Sequence, residues 1–401
     1  MAPQPKRFAP LRTLGIFVAS VTAVYMGLTA YENQDNLIRT FIMPAMRRLP
    51  VEMSHNLALL ACKYRINPVS QHLDDYNLKT SFFGRLISNP IGIAAGFDRN
   101  AEALHGLKDL GFGFIEIGSV TPMAQKGKGR TRLFGLYEDR LIMGSSDGFD
   151  SHGHYVVMQR LRRALARNDF KAIVGVNLGS NRSSTTPTRD YATGVKTFGP
   201  VADFLVVNAT SASTASSQPS WANKKQLIEV LTAVNNARSQ LQQRKTVPIL
   251  LKLSPDMTLD EMKDTAAVIS MRKCRVDGLI VANSTATRDN LSPSLVSHDS
   301  NGALSGAPLR ERSTKQIARM YELTKGSVPI IGVGGISSGR DAFEKIQAGA
   351  SFVQLYTALV YEGPDLVDRI KEELSMLLKE SGYANIRDAV GSNYKQHLPR
   401  K

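Results

Sequence analysis

Eight short apolar runs, rich in Val, Ile, Leu and Phe, recur along the chain, and longer helical patterns separate most of them. The runs are nearly continuous in hydrophobicity, as strands covered on both faces must be. This alternation predicts an α/β fold, a (β/α)8 TIM barrel of parallel strands. The predicted strands are Ile91 to Ala95, Phe114 to Val120, Ala172 to Leu178, Phe204 to Ala209, Val247 to Leu253, Gly278 to Asn283, Val328 to Val333 and Phe352 to Leu355. The predicted helices include Gln226 to Gln243, Leu259 to Arg272 and Leu309 to Lys325.

The last two strands flank a glycine turn and an amphipathic helix, Arg340 to Ala348. The turn reads Gly334-Gly335-Ile336-Ser337-Ser338-Gly339. Glycine turns and helix N-termini present backbone N–H groups, so the two together predict an anion site. In barrels of this kind the loops after strands seven and eight bind phosphate.

The N-terminal segment has a different pattern, and it divides the chain into four predicted parts. Residues 1–13 form a basic leader with three Lys or Arg and no acid, and residues 14–31 hold a 17-residue apolar run, LGIFVASVTAVYMGLTA. This run is at the short end for a transmembrane anchor. A signal peptide and a buried core helix are the alternatives. Residues 32–73 form a small helical domain, and residues 74–401 form the barrel.

The helical domain contains two short amphipathic patterns within Asn36 to Tyr64, broken near Arg48-Leu49-Pro50. Directly after an anchor, two such helices could lie among lipid headgroups and admit a lipid-soluble molecule. A helical hairpin packed on the barrel rim is the other interpretation. The basic, acid-free leader followed by one apolar span suits a mitochondrial protein held by its N-terminus.

Composition and charge narrow the choice of partners. The chain has 401 residues, 42% of them apolar, and its 50 Lys and Arg against 35 Asp and Glu give a net charge of +15. This balance suits an anionic membrane or an acidic ligand. The positive charges are scattered and no nucleic-acid-binding motif occurs, so nucleic acid is not expected. The two cysteines, Cys62 and Cys274, lie in apolar helical patterns and predict buried thiols, with no metal.

Six motifs in order carry a resemblance to a known family. They are NPIGIAAGFD (residues 89–98), FGFIEIGSVTP (112–122), GVNLG (175–179), DFLVVN (203–208), LSGAPLR (304–310) and PIIGVGGISSGRDAFEKIQAGASFVQLYTAL (329–359). In order and spacing they resemble the class 2 dihydroorotate dehydrogenases, over about residues 36 to 395. That family is the membrane-anchored, quinone-dependent group, which holds non-covalent FMN and serves de novo pyrimidine biosynthesis.

The resemblance implies that dihydroorotate is oxidised to orotate, with FMN as hydride acceptor and ubiquinone as final electron acceptor. One buried charge also stands out in the pattern itself: Lys252 lies within the apolar run Leu250 to Leu253, where desolvation is costly unless the ammonium is paired. The resemblance places it against the flavin. The implied cofactor-binding residues are Ala94, Ala95, Gly96, Ser119, Asn177, Asn208, Lys252, Ala282, Gly306, Gly334, Gly335, Tyr356 and Thr357.

The resemblance assigns the catalytic base to Ser211, and it assigns the quinone site to His55, Gly135 and Tyr356. A serine hydroxyl is a weak base, so its position matters more than its type. The implied substrate-binding residues are Arg99, Ser145, Phe149, Asn208, Ser213, Asn283 and Ser284.

Several of these positions depart from the family pattern. Arg99 replaces a lysine, Ser145 and Ser213 replace asparagines, Ala282 replaces a threonine, and Gly135 replaces an arginine. In addition, Asp147 and Asp150 bring negative charge toward a site that binds an anion. Three hypotheses follow: an active dihydroorotate dehydrogenase, an FMN-binding relative with weak catalysis that acts by binding, and a barrel oxidoreductase retuned to another small acid.

Overall fold

A closed barrel of eight parallel strands forms the centre of the molecule. The computed structural model describes residues 34–126, 133–136, 141–144, 150–208, 224–242, 246–287 and 303–398. Each barrel strand pairs with the next along the chain, and the last pairs with the first, so all eight predicted strands are confirmed. We number every described strand in chain order. The barrel strands are β3 (Ile91–Ile93), β4 (Phe114–Val120), β7 (Ile173–Leu178), β8 (Phe204–Asn208), β9 (Ile249–Leu253), β10 (Gly278–Val281), β12 (Ile330–Val333) and β13 (Phe352–Leu355).

Helices follow most of the barrel strands and cover the outside of the barrel. The predicted helices are confirmed, with ends that differ by at most four residues. The α-helices are α1 (Gln34–Leu37), α2 (Met43–Arg47), α3 (Val51–Tyr64), α4 (Leu104–Asp109), α5 (Gly153–Leu165), α6 (Pro187–Phe198), α7 (Lys224–Ser239), α8 (Leu259–Ser270), α9 (Arg310–Leu323), α10 (Gly339–Gln347), α11 (Thr357–Glu362) and α12 (Leu366–Glu380).

A hairpin of β1 (Thr80–Phe82) and β2 (Arg85–Ile87) closes the N-terminal end of the barrel. The ring of Phe82 packs against those of Phe114, Phe204 and Phe352, which lie at the starts of their strands, with centroids 4.6, 5.1 and 4.8 Å away. Since aromatic rings fill this end, the open end is the one at which the strands finish.

A second, antiparallel sheet lies at that open end. It contains β5 (Leu133–Leu136), β6 (Leu141–Gly144) and β11 (Ala303–Gly306) in the order β11-β6-β5. The loop after β10 joins it through a bridge between Thr285 and Leu304. The hydrophobic pattern did not predict these three strands, because each is only four residues long and interrupts the regular alternation.

The chain divides into two compact units between Arg48 and Leu49, close to the predicted break in the helical pattern. Residues 34–47 are helical throughout, with a π-helical turn at Ile38–Ile42. Helix α3 belongs to the barrel unit, and its exposed face carries Met53, Leu57, Leu60 and Tyr64. Within the described ranges, every helix is too short or too polar to cross a membrane. The predicted leader and anchor lie outside these ranges.

Candidate active site

A cavity of about 260 Å³ opens at the carboxyl ends of the barrel strands. Seven of the eight strands contribute to its lining, which agrees with the usual position of ligand sites in such barrels. The lining residues at the strand ends are Ala94, Ser119, Asn208, Lys252, Ala282, Gly334 and Tyr356.

One wall of the cavity consists of small residues, Ala94 to Gly96. The backbone is fixed on both sides, since Ala94 N–H donates to the Leu355 carbonyl at 3.0 Å and Gly96 N–H donates to the Gly118 carbonyl at 2.9 Å. Gly96 has a φ of +111°, which side-chain-bearing residues rarely adopt. A planar ligand can therefore lie directly against this backbone.

The turn at Gly334 and Gly335, which follows β12, forms another part of the lining, and only β13 separates β12 from β3 in the barrel. Gly335 has a φ of +71°, and an added Cβ would lie 2.6 Å from the backbone of Arg310. The position thus requires glycine both for its backbone conformation and for its contact with α9. This close contact holds the turn against the N-terminal end of α9.

Helix α10 contributes fewer free backbone N–H groups to the predicted anion site than the sequence suggests. Ser337 N–H donates to the Asp341 carboxylate at 2.9 Å, and Gly339 N–H donates to the Glu373 carboxylate at 2.6 Å. Two amides near the helix N-terminus are therefore already bound by carboxylates of the protein. The turn at Gly334 remains for an anion, together with Thr357, whose hydroxyl donates to Ser305 Oγ at 2.9 Å.

Lys252 lies at the floor of the cavity and is buried, as the sequence predicts. Its Nζ lies 3.6 Å from Oε1 of Glu116, whose side chain is 0% exposed. Glu116 was not among the predicted site residues, although an acid within the apolar run of β4 is a signal of the same kind as Lys252. The ion pair with Glu116 explains how β9 tolerates a buried ammonium.

A row of polar side chains continues from this pair across the floor. Ser119 Oγ donates to Asn177 Oδ1 at 2.5 Å, and Asn208 Nδ2 donates to Ser119 Oγ at 3.1 Å. Asn283 Nδ2 then donates to Asn208 Oδ1 at 3.0 Å. All four residues were predicted site residues, and the structure brings them together in one hydrogen-bonded row.

Arg99 lines the cavity next to Asp150, and its Nη1 lies 3.9 Å from the Asp150 carboxylate. Both side chains are largely shielded, with exposures of 26% and 16%. The predicted negative charge near the pocket is thus confirmed for Asp150. Asp147 lies outside the described residues.

His55 of α3 lies behind the cavity wall, buried against Phe97 and Tyr356. The Tyr356 hydroxyl is 3.3 Å from His55 Nδ1, and Tyr356 itself lines the cavity. Burial, with a smaller contribution from the Arg99 charge, lowers the pKa of His55 to about 4. Burial also raises the pKa of Tyr356. Both groups are therefore neutral near pH 7.

Comparison with known proteins decides the family. The family model described as dihydroorotate dehydrogenase matches residues 77–378. The chain belongs to the dihydroorotate dehydrogenase family. It is 43% identical to the mitochondrial dihydroorotate dehydrogenase (quinone) of Mus musculus, over 90% of this chain and 92% of that protein. It is 42% identical to the dihydroorotate dehydrogenase (quinone) of Rhodopseudomonas palustris, over 88% of this chain and 95% of that protein. A crystal structure of DHODH from Eimeria tenella in complex with ferulenol superposes with a TM-score of 0.79 at 34% identity, over 86% of this chain and 96% of that one.

Dihydroorotate dehydrogenases are FMN flavoproteins, and the residues of this cavity fit that cofactor. The wall at Gly96 suits a flat ring. The turn at Gly335, where an added Cβ would clash with the backbone of Arg310, suits the phosphate. The buried Lys252 supplies a positive charge at the floor. Ala282 is buried at the cavity, so the departure noted in the sequence leaves this position of the lining without a hydroxyl.

The predicted substrate residues of this chain fall into two sets. Arg99, Asn208, Asn283 and Ser284 line the cavity. The others lie outside the described residues: Ser145, Phe149, Ser211 and Ser213. On the quinone side, Gly135 lies in β5, which packs beside the helix that carries His55.

Proposed function

We propose that this protein oxidises dihydroorotate to orotate in de novo pyrimidine biosynthesis, using FMN and a quinone as the final electron acceptor. One observation carries the proposal: Tyr356 lines the flavin-type cavity and contacts His55 at 3.3 Å. A single residue therefore joins a cavity built for flavin and substrate to the helix that the family resemblance assigns to quinone.

The chain's own residues bind the substrate and move its proton. Asn208 and Asn283, held in the floor row, would bind the polar edge of the ring, and Arg99 would bind its carboxylate. Ser211 would remove the C5 proton and pass it on, because a serine hydroxyl cannot retain it. The chemistry that FMN supplies is acceptance of hydride from C6 and later release of two electrons. Lys252 would stabilise the negative charge that reduction brings to the cavity floor.

Asp150 favours a weaker version of this function. Its carboxylate lies 3.9 Å from the Arg99 guanidinium, so a substrate carboxylate must compete with it for the same cation. This observation supports the two alternatives, an FMN-binding relative with weak catalysis and an oxidoreductase retuned to another small acid.

The location that we propose is the inner mitochondrial membrane, with ubiquinone as acceptor and residues 14–31 as the single anchor. The apolar run of that segment and the basic leader before it support the proposal. The exposed apolar face of α3 also supports it: Leu57, Leu60 and Tyr64 are 40%, 46% and 65% exposed, which suits the apolar side of a lipid surface.

Anaerobic absorbance of the purified protein tests the first half of the reaction. Adding dihydroorotate should bleach the visible flavin band within seconds, and dithionite should bleach it completely as a control. A band that dithionite bleaches and dihydroorotate leaves unchanged would overturn the proposal. It would favour an FMN-binding relative with weak catalysis or an oxidoreductase retuned to another small acid. Adding a short-chain quinone to the protein reduced by dihydroorotate should then restore the band.

A further inference from the structure

Two hydrogen-bond donors and one ammonium surround the Glu116 carboxylate inside the barrel. Asn177 Nδ2 donates to Oε1 at 2.6 Å, and Gln354 Nε2 donates to Oε2 at 2.8 Å. The Lys252 ammonium lies 3.6 Å from Oε1. These partners come from strands β7, β13 and β9, so a single side chain of β4 joins four strands beneath the cavity.

A carboxylate in this setting has a directional effect on its neighbours. An ionised carboxylate only accepts hydrogen bonds, so the amides of Asn177 and Gln354 must turn their NH2 groups toward it. The Asn177 oxygen is then left for the Ser119 hydroxyl, which donates to it at 2.5 Å. The Ser119 oxygen in turn accepts from Asn208, whose own oxygen accepts from Asn283. Every donation in the row therefore runs toward Glu116.

The same carboxylate moderates the charge beneath the flavin. A lone ammonium at the floor would make the site strongly positive, whereas the adjacent Glu116 offsets part of the Lys252 charge. Because both groups are buried, solvent screens their effect little.

We propose that Glu116 is a positioning residue that sets the direction of the floor row, holds the Lys252 ammonium and thereby sets the reduction potential of the bound flavin. The inference rests on FMN occupying the cavity, as the proposed function requires. Its effect is transmitted through Asn177 and Lys252 and needs no contact between Glu116 and substrate.

The test is the midpoint potential of the FMN-loaded full-length protein, measured by dye-coupled reduction. Glu116→Gln keeps the shape and removes the negative charge. We expect the potential to rise by about 30 mV, a tenfold gain in relative affinity for reduced over oxidised FMN. In a Lys252→Gln background the same substitution should shift the potential by a smaller amount, because the part of the effect that is transmitted through the position of the ammonium is lost. An unchanged potential, or an equal shift in both backgrounds, would overturn the proposal.

Two further variants separate this effect from general damage. Lys371→Met removes another buried ammonium, 1% exposed and 2.9 Å from Asp74, on the outer helix α12. It should lower stability and leave the potential at the wild-type value. If Glu116→Gln retains too little FMN for titration, Glu116→Asp carries the test, with a smaller rise expected and a wild-type potential contradicting the proposal. Because the dye reduces the flavin without dihydroorotate, failure of the proposed function leaves this comparison intact.

Discussion

Asp150 is the residue whose charge bears most directly on substrate binding. Replacing it with asparagine removes the carboxylate that lies 3.9 Å from Arg99, so the guanidinium becomes available to an anionic substrate. We expect Asp150→Asn to lower the Kd for dihydroorotate by about three- to tenfold, a modest gain because the pair is partly screened. Titration of flavin bleaching under anaerobic conditions measures it.

The matched control for Asp150 is Asp169→Asn. Asp169 is also a carboxylate paired with an arginine, at 3.4 Å from Arg167, but its side chain is 52% exposed and it is not among the residues that line the cavity. Its replacement should leave the Kd unchanged. A Kd that rises on replacing Asp150 would mean that this carboxylate helps to bind the substrate and does not compete with it for Arg99.

His55 gives a pH dependence of stability whose sign follows from burial. Its pKa is about 4 in the folded protein and 6.5 in the unfolded chain, so between these values the unfolded state binds the extra proton. Stability should therefore fall as pH decreases from 6.5 toward 4. Its share between pH 7 and pH 5 is about 2 kcal/mol. Chemical denaturation at both pH values should show a smaller loss in His55→Phe than in the wild-type protein.

The remaining pH dependence of that variant has an identifiable source. Burial also lowers the pKa of His154 to about 4, so its contribution has the same sign and persists when His55 is replaced. Equal losses of stability in the wild-type protein and in His55→Phe would show that His55 is not buried in its neutral form.

A single residue was predictable where it interrupted an apolar run, and less so where its role depends on a partner that is distant in sequence. Lys252 was identified because a charge within a buried strand requires a reason. Its partner Glu116 shows the same signal in β4, yet only the closed barrel shows that the two side chains meet at 3.6 Å. The pairing of Arg99 with Asp150 likewise depends on two segments 51 residues apart in sequence.

At the level of elements, the turn after β12 requires glycine at position 335, and this requirement can be tested. Gly335→Ala places a methyl group 2.6 Å from the backbone of α9 in a left-handed conformation. We expect FMN content to fall at least fivefold, in addition to a cost of ~1 kcal/mol from the backbone conformation alone. Flavin absorbance relative to protein absorbance after purification is the measurement.

Gly382→Ala is the control for that backbone cost. Gly382 has a φ of +78° and no atom within 4 Å of an added Cβ. The substitution should cost similar stability while FMN content stays at the wild-type value. Equal loss of FMN in both variants would mean that the turn at Gly335 does not form the cofactor site.

The elements that the sequence predicted are those whose hydrophobic pattern reflects the layer they occupy. All eight barrel strands are buried on both faces, and their continuous apolar runs identified them. The strands of the β5-β6-β11 sheet lie outside that layer and are too short to show a period. The anion site predicted at the turn of Gly334 and Gly335 stays a prediction. The carboxylates of Asp341 and Glu373 that bind the amides near the N-terminus of α10 become neighbours of those amides only in the folded protein, so the sequence pattern did not reveal them.

At the scale of the whole molecule, the proposed reaction separates into a soluble half and a membrane half. Dihydroorotate reaches the mouth of the barrel from water, whereas a long-chain quinone stays within lipid. The barrel unit begins at Leu49, and all the residues named in the cavity lining belong to that unit. Deleting residues 1–31 should therefore release the protein from membranes while dihydroorotate still bleaches the flavin at the full-length rate.

The two kinds of quinone should respond differently to this deletion. Turnover with a long-chain quinone in vesicles should fall at least tenfold. Turnover with a short-chain, water-soluble quinone should stay within about twofold of the full-length value, since that acceptor needs no approach through lipid. Loss of both activities would show that the segment supports the fold, and retention of both would show that α3 alone suffices at the lipid surface.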